Sequence, residues 1–154
     1  TRWSDMIRIK AVYEQNIMDV CERTAYQSCT GAPAMCRLYC NAISITETKY
    51  NPELHPNAIY SNNTLIGFFM YERSEDEAET TIICRFMLDD RFRHMGLEEQ
   101  AFAHVLRGLK IQGVKQVIST ADAADEDLKE LYLPFGFHPA GGTSRAVSRY
   151  ELEL

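Results

Sequence analysis

The stretch RFRHMGLEEQ, residues 91–100, carries the residues of this sequence best suited to bind an anion. Arg91, Arg93 and His94 crowd one loop, and Gly96 comes directly before an apolar helical pattern. The first N–H groups of a helix have no intrahelical partner and lie at the positive end of its dipole, so a phosphate can bind there. The pattern therefore allows two interpretations, a phosphate site or a solvated basic loop before an ordinary helix.

The elements that must position this loop can be predicted from hydrophobic period and turn residues. The predicted strands are MIRIKAV (6–12), AIY (58–60), LIGFFMYER (65–73), TIICRFML (81–88), VKQVIST (114–120), FHPAG (137–141) and RAVSRYELEL (145–154). The predicted helices are EQNIMDVCERTAYQ (14–27), a second from about Ala34 to Thr46, a third from about Gly96 to Gln112, and a short one beginning at ADEDLKE (124–130). The residues expected on the inner face of the second helix are Met35, Leu38, Tyr39 and Ala42.

Two of these segments fix the sheet. Asn62 and Asn63 can adopt the left-handed conformations of a tight hairpin turn between the second and third strands. TIICRFML hardly alternates, which is typical of a central strand buried on both faces. A helix crossing from it to VKQVIST requires a parallel pair. The order β-α-α-β-β-β-α-β-α-β-β predicts one α/β (α+β) domain over residues 1–154, with a mixed, mostly antiparallel sheet flanked by helices.

Composition restricts the function classes. The chain has 22 acidic and 16 basic residues, for a net charge of −6. We expect no nucleic-acid partner, since binding a phosphate backbone needs a basic face. An acidic protein suits a small cationic substrate. No apolar run approaches a membrane span, and TRWSDMIRIK lacks the apolar core of a signal peptide, so we expect no membrane partner.

The cysteines favour a reduced, cytoplasmic protein without a metal. Their number is odd and none forms a CxxC pair, which argues against a disulfide framework or a zinc site. Cys36 and Cys40 can share a helix face, but two ligands are too few for structural zinc. The five are Cys21, Cys29, Cys36, Cys40 and Cys84.

Taken with the element order, three motifs resemble those of the GNAT superfamily of acetyl-CoA-dependent N-acetyltransferases, most sharply from Ala58 to Phe137. Arg93, Gly96 and Glu98 stand at the positions of its Q/R-x-x-G-x-G/A signature, after RFMLDDRFR. LYLPFGF resembles its L-Y-x-x-x-G-F motif. NAIYSNNTLIGFFMYER is similar to the hairpin of the bacterial polyamine (spermidine/spermine) acetyltransferase-like branch.

The resemblance implies how acetyl-CoA would bind. Main-chain N–H groups of the loop would hold its pyrophosphate, and the pantetheine arm would lie along β-strand main chain like an added strand. An N–H near Leu88 would face the thioester oxygen. The implied cofactor-binding residues are Phe86, Met87, Leu88, Arg93, His94, Met95, Gly96, Leu97 and Glu98.

The implied reaction is direct attack of a neutral primary amine on the thioester. Tyr132 matches the family's general acid, which would protonate the departing thiolate. For the general base two carboxylates stay open, Glu72 at the end of the third strand and Asp89 just after the fourth. Each of these three residues also has an ordinary structural interpretation, as a half-buried tyrosine or a surface carboxylate.

Two departures from the family pattern matter. Glu98 replaces the second glycine, and its carboxylate either enters the pyrophosphate cradle or turns away from it. The asparagine that often precedes the tyrosine is missing, with Asp122, Asp125 and Asp127 in that region instead. Besides a polyamine, an aminoglycoside or a protein amine is an open substrate class, and a non-catalytic binding or regulatory member of the fold is the alternative. RYELEL (149–154) is expected to be an edge strand available for a homodimer.

Overall fold

The structure, a computed structural model, describes residues 6–22, 41–93, 95–122, 126–144 and 147–154. The strands are β1 Ile7–Ala11, β2 Leu54–Ser61, β3 Thr64–Glu72, β4 Thr80–Leu88, β5 Gln116–Asp122, β6 His138–Ser144 and β7 Val147–Glu153. The helices are α1 Ile17–Glu22, α2 Asn41–Glu47, α3 Leu97–Ile111 and α4 Glu126–Tyr132. Two 3₁₀ turns, Asp90–Phe92 and Leu133–Phe135, follow β4 and α4. The predicted order of elements and the fold class are confirmed.

The strands form one seven-stranded sheet in the order β1-β2-β3-β4-β5-β7-β6. β4 lies at its centre and pairs parallel with β5, while the other described pairs are antiparallel. The prediction that RYELEL forms an edge is wrong, because β7 lies between β5 and β6 and pairs with both. Local periodicity reports that a segment is a strand, but it does not report which strands will flank it.

Each face of the sheet carries its own apolar cluster. α3 and α4 cover one face, where Phe102, Leu106 and Tyr132 pack against β3, β4 and β5. α1 and α2 lie toward the other face, where Val20 packs against Phe68, Met87 and their neighbours. Placing β4 between two layers explains why its sequence hardly alternates.

Local residue choices fix the turns and helix ends. Asn62 and Asn63 have φ angles of 49° and 70°, as the hairpin turn requires. In α2, Asn41 and Ser44 are buried and Ala42 is exposed, so the prediction that Ala42 lies on the inner face of this helix is wrong. The reason is a polar contact, because the Asn41 side-chain amide donates to the Val20 carbonyl at 2.8 Å and turns that face inward. Met35, Leu38 and Tyr39 of the predicted helix lie outside the described residues.

Two β-bulges distort the centre of the sheet. Ile66 is an extra residue in β3 relative to β2, and Cys84 is an extra residue in β4 relative to β3. A bulge bends its strand and increases the local twist. Between them lies buried Gly67, where a Cβ atom would collide with the main-chain oxygen of Met87. The close approach of β3 to β4 therefore requires glycine at this position.

Gly67→Ala is expected to lower the free energy of unfolding by about 1–3 kcal/mol, since the backbone of Met87 and Leu88 leaves the methyl group no room. Gly108→Ala is the matched control: it lies inside α3, its Cβ would meet nothing within 4 Å, and it should stabilise by up to about 1 kcal/mol. Urea denaturation of both variants checks the pair, and equal stabilities would contradict the packing described here.

Candidate active site

The main feature of the sheet is a wedge-shaped gap between β4 and β5. The two strands pair only from Thr80 opposite Gln116 to Ile83 opposite Ser119. Beyond that point β5 continues to pair with β7 as far as Asp122, and β4 continues to pair with β3 as far as Leu88. The Cys84 bulge comes directly after the last paired residue and bends β4 away. We call this gap, between residues 84–88 of β4 and 120–122 of β5, the β4–β5 wedge.

The free edge of β4 presents main-chain groups to the wedge. The Asp89 N–H donates to the Ile66 carbonyl at 2.8 Å, so Asp89 and Met87 direct their main-chain groups toward β3. Because these directions alternate along a strand, Phe86 and Leu88 direct their N–H and C=O groups into the wedge. Among the described residues no strand pairs with them there. An extended ligand can therefore bond to this edge as an added strand would.

The end of the wedge nearest Leu88 leads to the start of α3. Gly96 is the N-cap, with φ 77° and ψ 0°, a left-handed conformation that glycine adopts without strain. It is exposed, and a Cβ there would meet nothing within 4 Å. Met95 is 63% exposed, whereas Leu97 is buried and anchors the helix start. The first N–H groups of α3 thus lie in an open loop, and His94 lies outside the described residues.

Glu98 forms an ion pair that shows where its carboxylate points. Its Oε1 lies 3.6 Å from Nε of Arg93, whose side chain is only 7% exposed. Asp90 Oδ1 lies 3.5 Å from Nη1 of the same guanidinium. Arg93 therefore shares its charge between two carboxylates of the protein. The Glu98 carboxylate is held at Arg93, and both side chains are less available to a phosphate than their exposed neighbours.

Asp89, one of the two candidate bases, caps the turn before Arg93. It is 4% exposed, and its Oδ1 accepts hydrogen bonds from the Arg91 main-chain N–H at 3.1 Å and from Arg91 Nε at 2.9 Å. The hydrogen bond to Asp89 and the charge of that carboxylate raise the pKa of Arg91. The Arg91 side chain is 65% exposed, so it offers this loop a cation at the surface.

Glu72, the other candidate base, lies at the closed end of the wedge. It pairs with Ile82 in β4, and its Oε2 accepts a hydrogen bond from Asn51 at 3.4 Å. Its charge reaches the thiol of Cys84, because burial, and then the charge of Glu72, raise the pKa of Cys84 to about 11. Cys84 therefore stays a protonated thiol at neutral pH.

Tyr132 is buried in the apolar cluster on the face of the sheet that α3 and α4 cover. It ends α4, is 1% exposed, and packs against Phe102, Phe137 and Tyr150 with ring centroids 5.3–5.7 Å apart. The other residues of LYLPFGF support this position, since Leu131 and Phe137 are buried and Gly136 has a φ of 95°. The side chains of Asp122 and Asp127 are not described, and Asp125 lies outside the described residues.

Sequence reasoning missed one charged residue at the closed end of the wedge. Arg85 follows the Cys84 bulge, and its Nη2 lies 3.5 Å from Oε1 of Glu47 in α2. The signal was present, since Arg85 is the one charged residue in the apolar stretch TIICRFML. The acidic turn EDEAET (75–80) lies at the opposite end of β4 from the loop of Gly96, so it does not contribute to the open end of the wedge.

Comparisons with known proteins agree with this geometry. The profile described as "Acetyltransferase (GNAT) family" matches residues 22–137, which is most of the chain. The chain therefore belongs to the GNAT family of acetyltransferases, as its motifs indicated, and it is classed with enzymes that use acetyl-CoA. A search of curated protein sequences gave no significant match.

Solved structures share the fold at low identity. PaiA N-acetyltransferase from Thermoplasma acidophilum, solved with coenzyme A, gives a TM-score of 0.73 at 13% identity, covering 97% of this chain and 99% of that one. The GNAT domain of S. lividans PAT gives 0.74 at 12% identity, with 98% and 96% covered. The ribosomal-protein-S18-alanine N-acetyltransferase of Escherichia coli gives 0.69 at 13%, with 96% and 94% covered.

Within the described ranges no helix is long and apolar enough to span a membrane. Nor do the described residues include a group of three or more His, Cys, Asp or Glu side chains placed to hold a metal ion.

Glu98→Gln is expected to tighten acetyl-CoA binding about two- to fivefold, because it removes a negative charge from the helix start and releases Arg93. Glu99→Gln is the matched control: it removes the same charge from the same exposed turn but leaves the Arg93 ion pair intact. Isothermal titration with acetyl-CoA measures both. An unchanged dissociation constant for Glu98→Gln would show that this ion pair does not compete with the ligand.

Proposed function

We propose that this protein transfers the acetyl group of acetyl-CoA to a primary amine of a small cationic substrate, with polyamines as the first class to test. The observation that carries the proposal is the β4–β5 wedge, an unpaired strand edge that leads to the open start of α3. Acetyl-CoA, a substrate here, supplies an activated acetyl group. The main-chain N–H groups of Arg93, His94, Met95, Gly96, Leu97 and Glu98 hold its pyrophosphate.

The pantetheine arm lies along Phe86, Met87 and Leu88, hydrogen-bonded to the free edge of β4. The pyrophosphate and the thioester lie at opposite ends of the pantetheine arm. A pyrophosphate bound at Gly96 therefore places the thioester toward the closed end of the wedge. The N–H of Phe86 is nearer that end than the N–H near Leu88, to which the family resemblance assigns the thioester oxygen. We therefore assign the polarising N–H to Phe86.

The acceptor amine approaches from the face that carries α2, where Glu47 and Glu72 supply negative charge. This local charge, together with the net charge of −6, supports a cationic substrate. Glu72 accepts the amine proton, directly or through a water. Asp89 is less suited to this role because its carboxylate is already bonded to Arg91.

Transfer is direct, by attack of the amine on the thioester. Cys84 is the thiol beside the closed end of the wedge, and a pKa of about 11 leaves almost none of it as the nucleophilic thiolate at neutral pH. The Cys84 thiol is therefore a poor nucleophile, which supports attack by the amine on the thioester itself. Tyr132 supplies a proton to the departing thiolate of coenzyme A.

A second candidate function is a GNAT-fold binding or regulatory protein that no longer transfers acetyl groups. The sharing of Arg93 between Asp90 and Glu98 favours it, since the loop loses a cation that a phosphate would use. For the substrate, aminoglycosides and protein amines remain candidates. We further propose a cytoplasmic location, and a homodimer formed through the edge strand β6.

Acetyl-CoA is expected to raise the melting temperature progressively with its concentration. Coenzyme A release, measured as free thiol, should then require an amine from a panel of spermidine, spermine, aminoglycosides and peptides. Double-reciprocal plots should intersect, because both substrates must be bound for direct transfer. No thermal shift at millimolar acetyl-CoA would favour the binding protein, and parallel plots would contradict direct transfer.

Tyr132→Phe is expected to lower kcat about 100-fold while leaving acetyl-CoA affinity unchanged, since it removes the proton donor and keeps the ring packing. Tyr150→Phe is the matched control, because Tyr150 is also buried and its ring packs against Tyr132 at 5.7 Å. Its kcat should stay near that of the wild type. A Tyr132→Phe enzyme with full kcat would remove this residue from the mechanism.

A further inference from the structure

Arg85 is placed where an acceptor substrate would meet the acetyl donor. It is the residue after the Cys84 bulge, so it begins the free edge of β4 at the closed end of the wedge. Its ion pair with Glu47 places its guanidinium on the face that carries α2. Together with Glu72, these charges surround the Cys84 thiol, whose pKa responds to all three. The closed end of the wedge thus holds two carboxylates and one guanidinium.

The hydrogen bonds of this guanidinium are incomplete. Nη1 donates to the Cys84 carbonyl at 2.7 Å, a short and well-formed bond. Nε is buried and has no hydrogen-bond partner among the described residues. Nη2 meets Glu47 only at 3.5 Å, which is longer than a charge-assisted hydrogen bond of about 2.7–2.9 Å. A guanidinium has five N–H donors, and leaving one unpaired in a desolvated position is costly.

The Glu47 carboxylate that faces Arg85 is a partner that another carboxylate can replace. The Glu47 side chain is 44% exposed, so a carboxylate there gains little from the pair and can return to water. The Arg85 side chain is only 24% exposed and remains on β4. A carboxylate arriving with the substrate can therefore take the position of Glu47. The planar guanidinium suits a carboxylate, which it can bind through two donors at once.

The surrounding charges favour a substrate that carries both a positive and a negative charge. With Arg85 opposite Glu47, Glu72 remains as the carboxylate available to an ammonium group. A simple diamine can use Glu72 but offers no partner to Arg85, which then keeps its contact with Glu47. An amine that also bears a carboxylate can use Glu72 and Arg85 together.

We infer that the acceptor of this enzyme is an amino-acid-like amine, whose carboxylate binds Arg85 in place of Glu47 while its amine faces Glu72. This inference rests on the proposed acetyl transfer and narrows its substrate from cationic amines in general to those carrying a carboxylate. A basic amino acid keeps the net positive charge that the acidic protein favours. Arg85 is then a specificity-determining residue.

The test compares L-lysine with 1,5-diaminopentane, which differs from it only by the carboxylate. The enzyme is expected to show a kcat/KM for lysine at least about tenfold above that for the diamine, since a charge-assisted contact is gained. Arg85→Gln should abolish this preference. Glu47→Gln should increase it, because the competing carboxylate is gone. Arg73→Gln is the matched control, since Arg73 bonds Gln112 and Ala78 away from the wedge and its loss should leave the preference unchanged.

Binding provides an independent measurement. Calorimetric titration of the protein–coenzyme A complex with each amine gives affinities that do not depend on turnover, and Arg85→Gln should weaken lysine binding about tenfold while leaving diamine binding unchanged or tighter. Equal or faster acetylation of the diamine by the wild type would overturn the inference but leave acetyl transfer standing. Arg85-dependent lysine binding without any coenzyme A release would support the inference and count against catalysis. Lysine binding that is absent, or unaffected by Arg85→Gln, would also overturn it.

Discussion

The proposed function of this protein depends on main chain that the sheet leaves unpaired at its centre. Past Ile83 and Ser119, β4 and β5 separate, because β5 stays bonded to β7 and the Cys84 bulge bends β4 toward β3. Free strand edges normally lie at the border of a sheet, where proteins cover or interrupt them. Here the edge lies between two apolar layers, so a ligand with a chain of amides is a natural partner for it. The proposed fit of an elongated, amide-bearing ligand thus depends on main chain before any side chain contributes.

Charges at both ends of the wedge are paired within the protein in a similar way. At the phosphate end Arg93, which is almost buried, is shared by Asp90 and Glu98, and at the closed end Arg85 is opposed by Glu47. A buried cation without a partner is strongly unfavourable, so each arginine needs a carboxylate when no ligand is bound. The same carboxylates then compete with the ligand. The free energy of ligand binding at each end is therefore the difference between the arginine's contact with the ligand and its contact with the protein carboxylate. Such a difference contributes more to selectivity than to affinity.

The sequence could predict what local patterns encode. It predicted the order of elements, the turn at Asn62 and Asn63, the extent of α3 and the parallel pair, because period, turn chemistry and helix caps each depend on near neighbours. It could not predict that Glu47 meets Arg85 or that Glu98 turns to Arg93, since these contacts depend on strand register and on which arginine becomes buried. The edge expected at RYELEL failed for a related reason, because strand order is set by packing over the whole sheet.

The two halves of the proposed chemistry are joined by one side chain. Phe102 of α3 is completely buried and packs edge-on against Phe86 of β4 at 5.1 Å, and against Tyr132 of α4 at 5.6 Å. Since α3 begins at the Gly96 loop, the helix whose first N–H groups are proposed to bind a pyrophosphate also contacts, through Phe102, the free edge of β4 and the proposed acid. Close packing transmits a shift at the helix start to both, because such an interior has little room to absorb it. The distance between the Gly96 loop and Tyr132 is thus set by the packing around Phe102, in the second turn of α3, rather than by the surrounding loops.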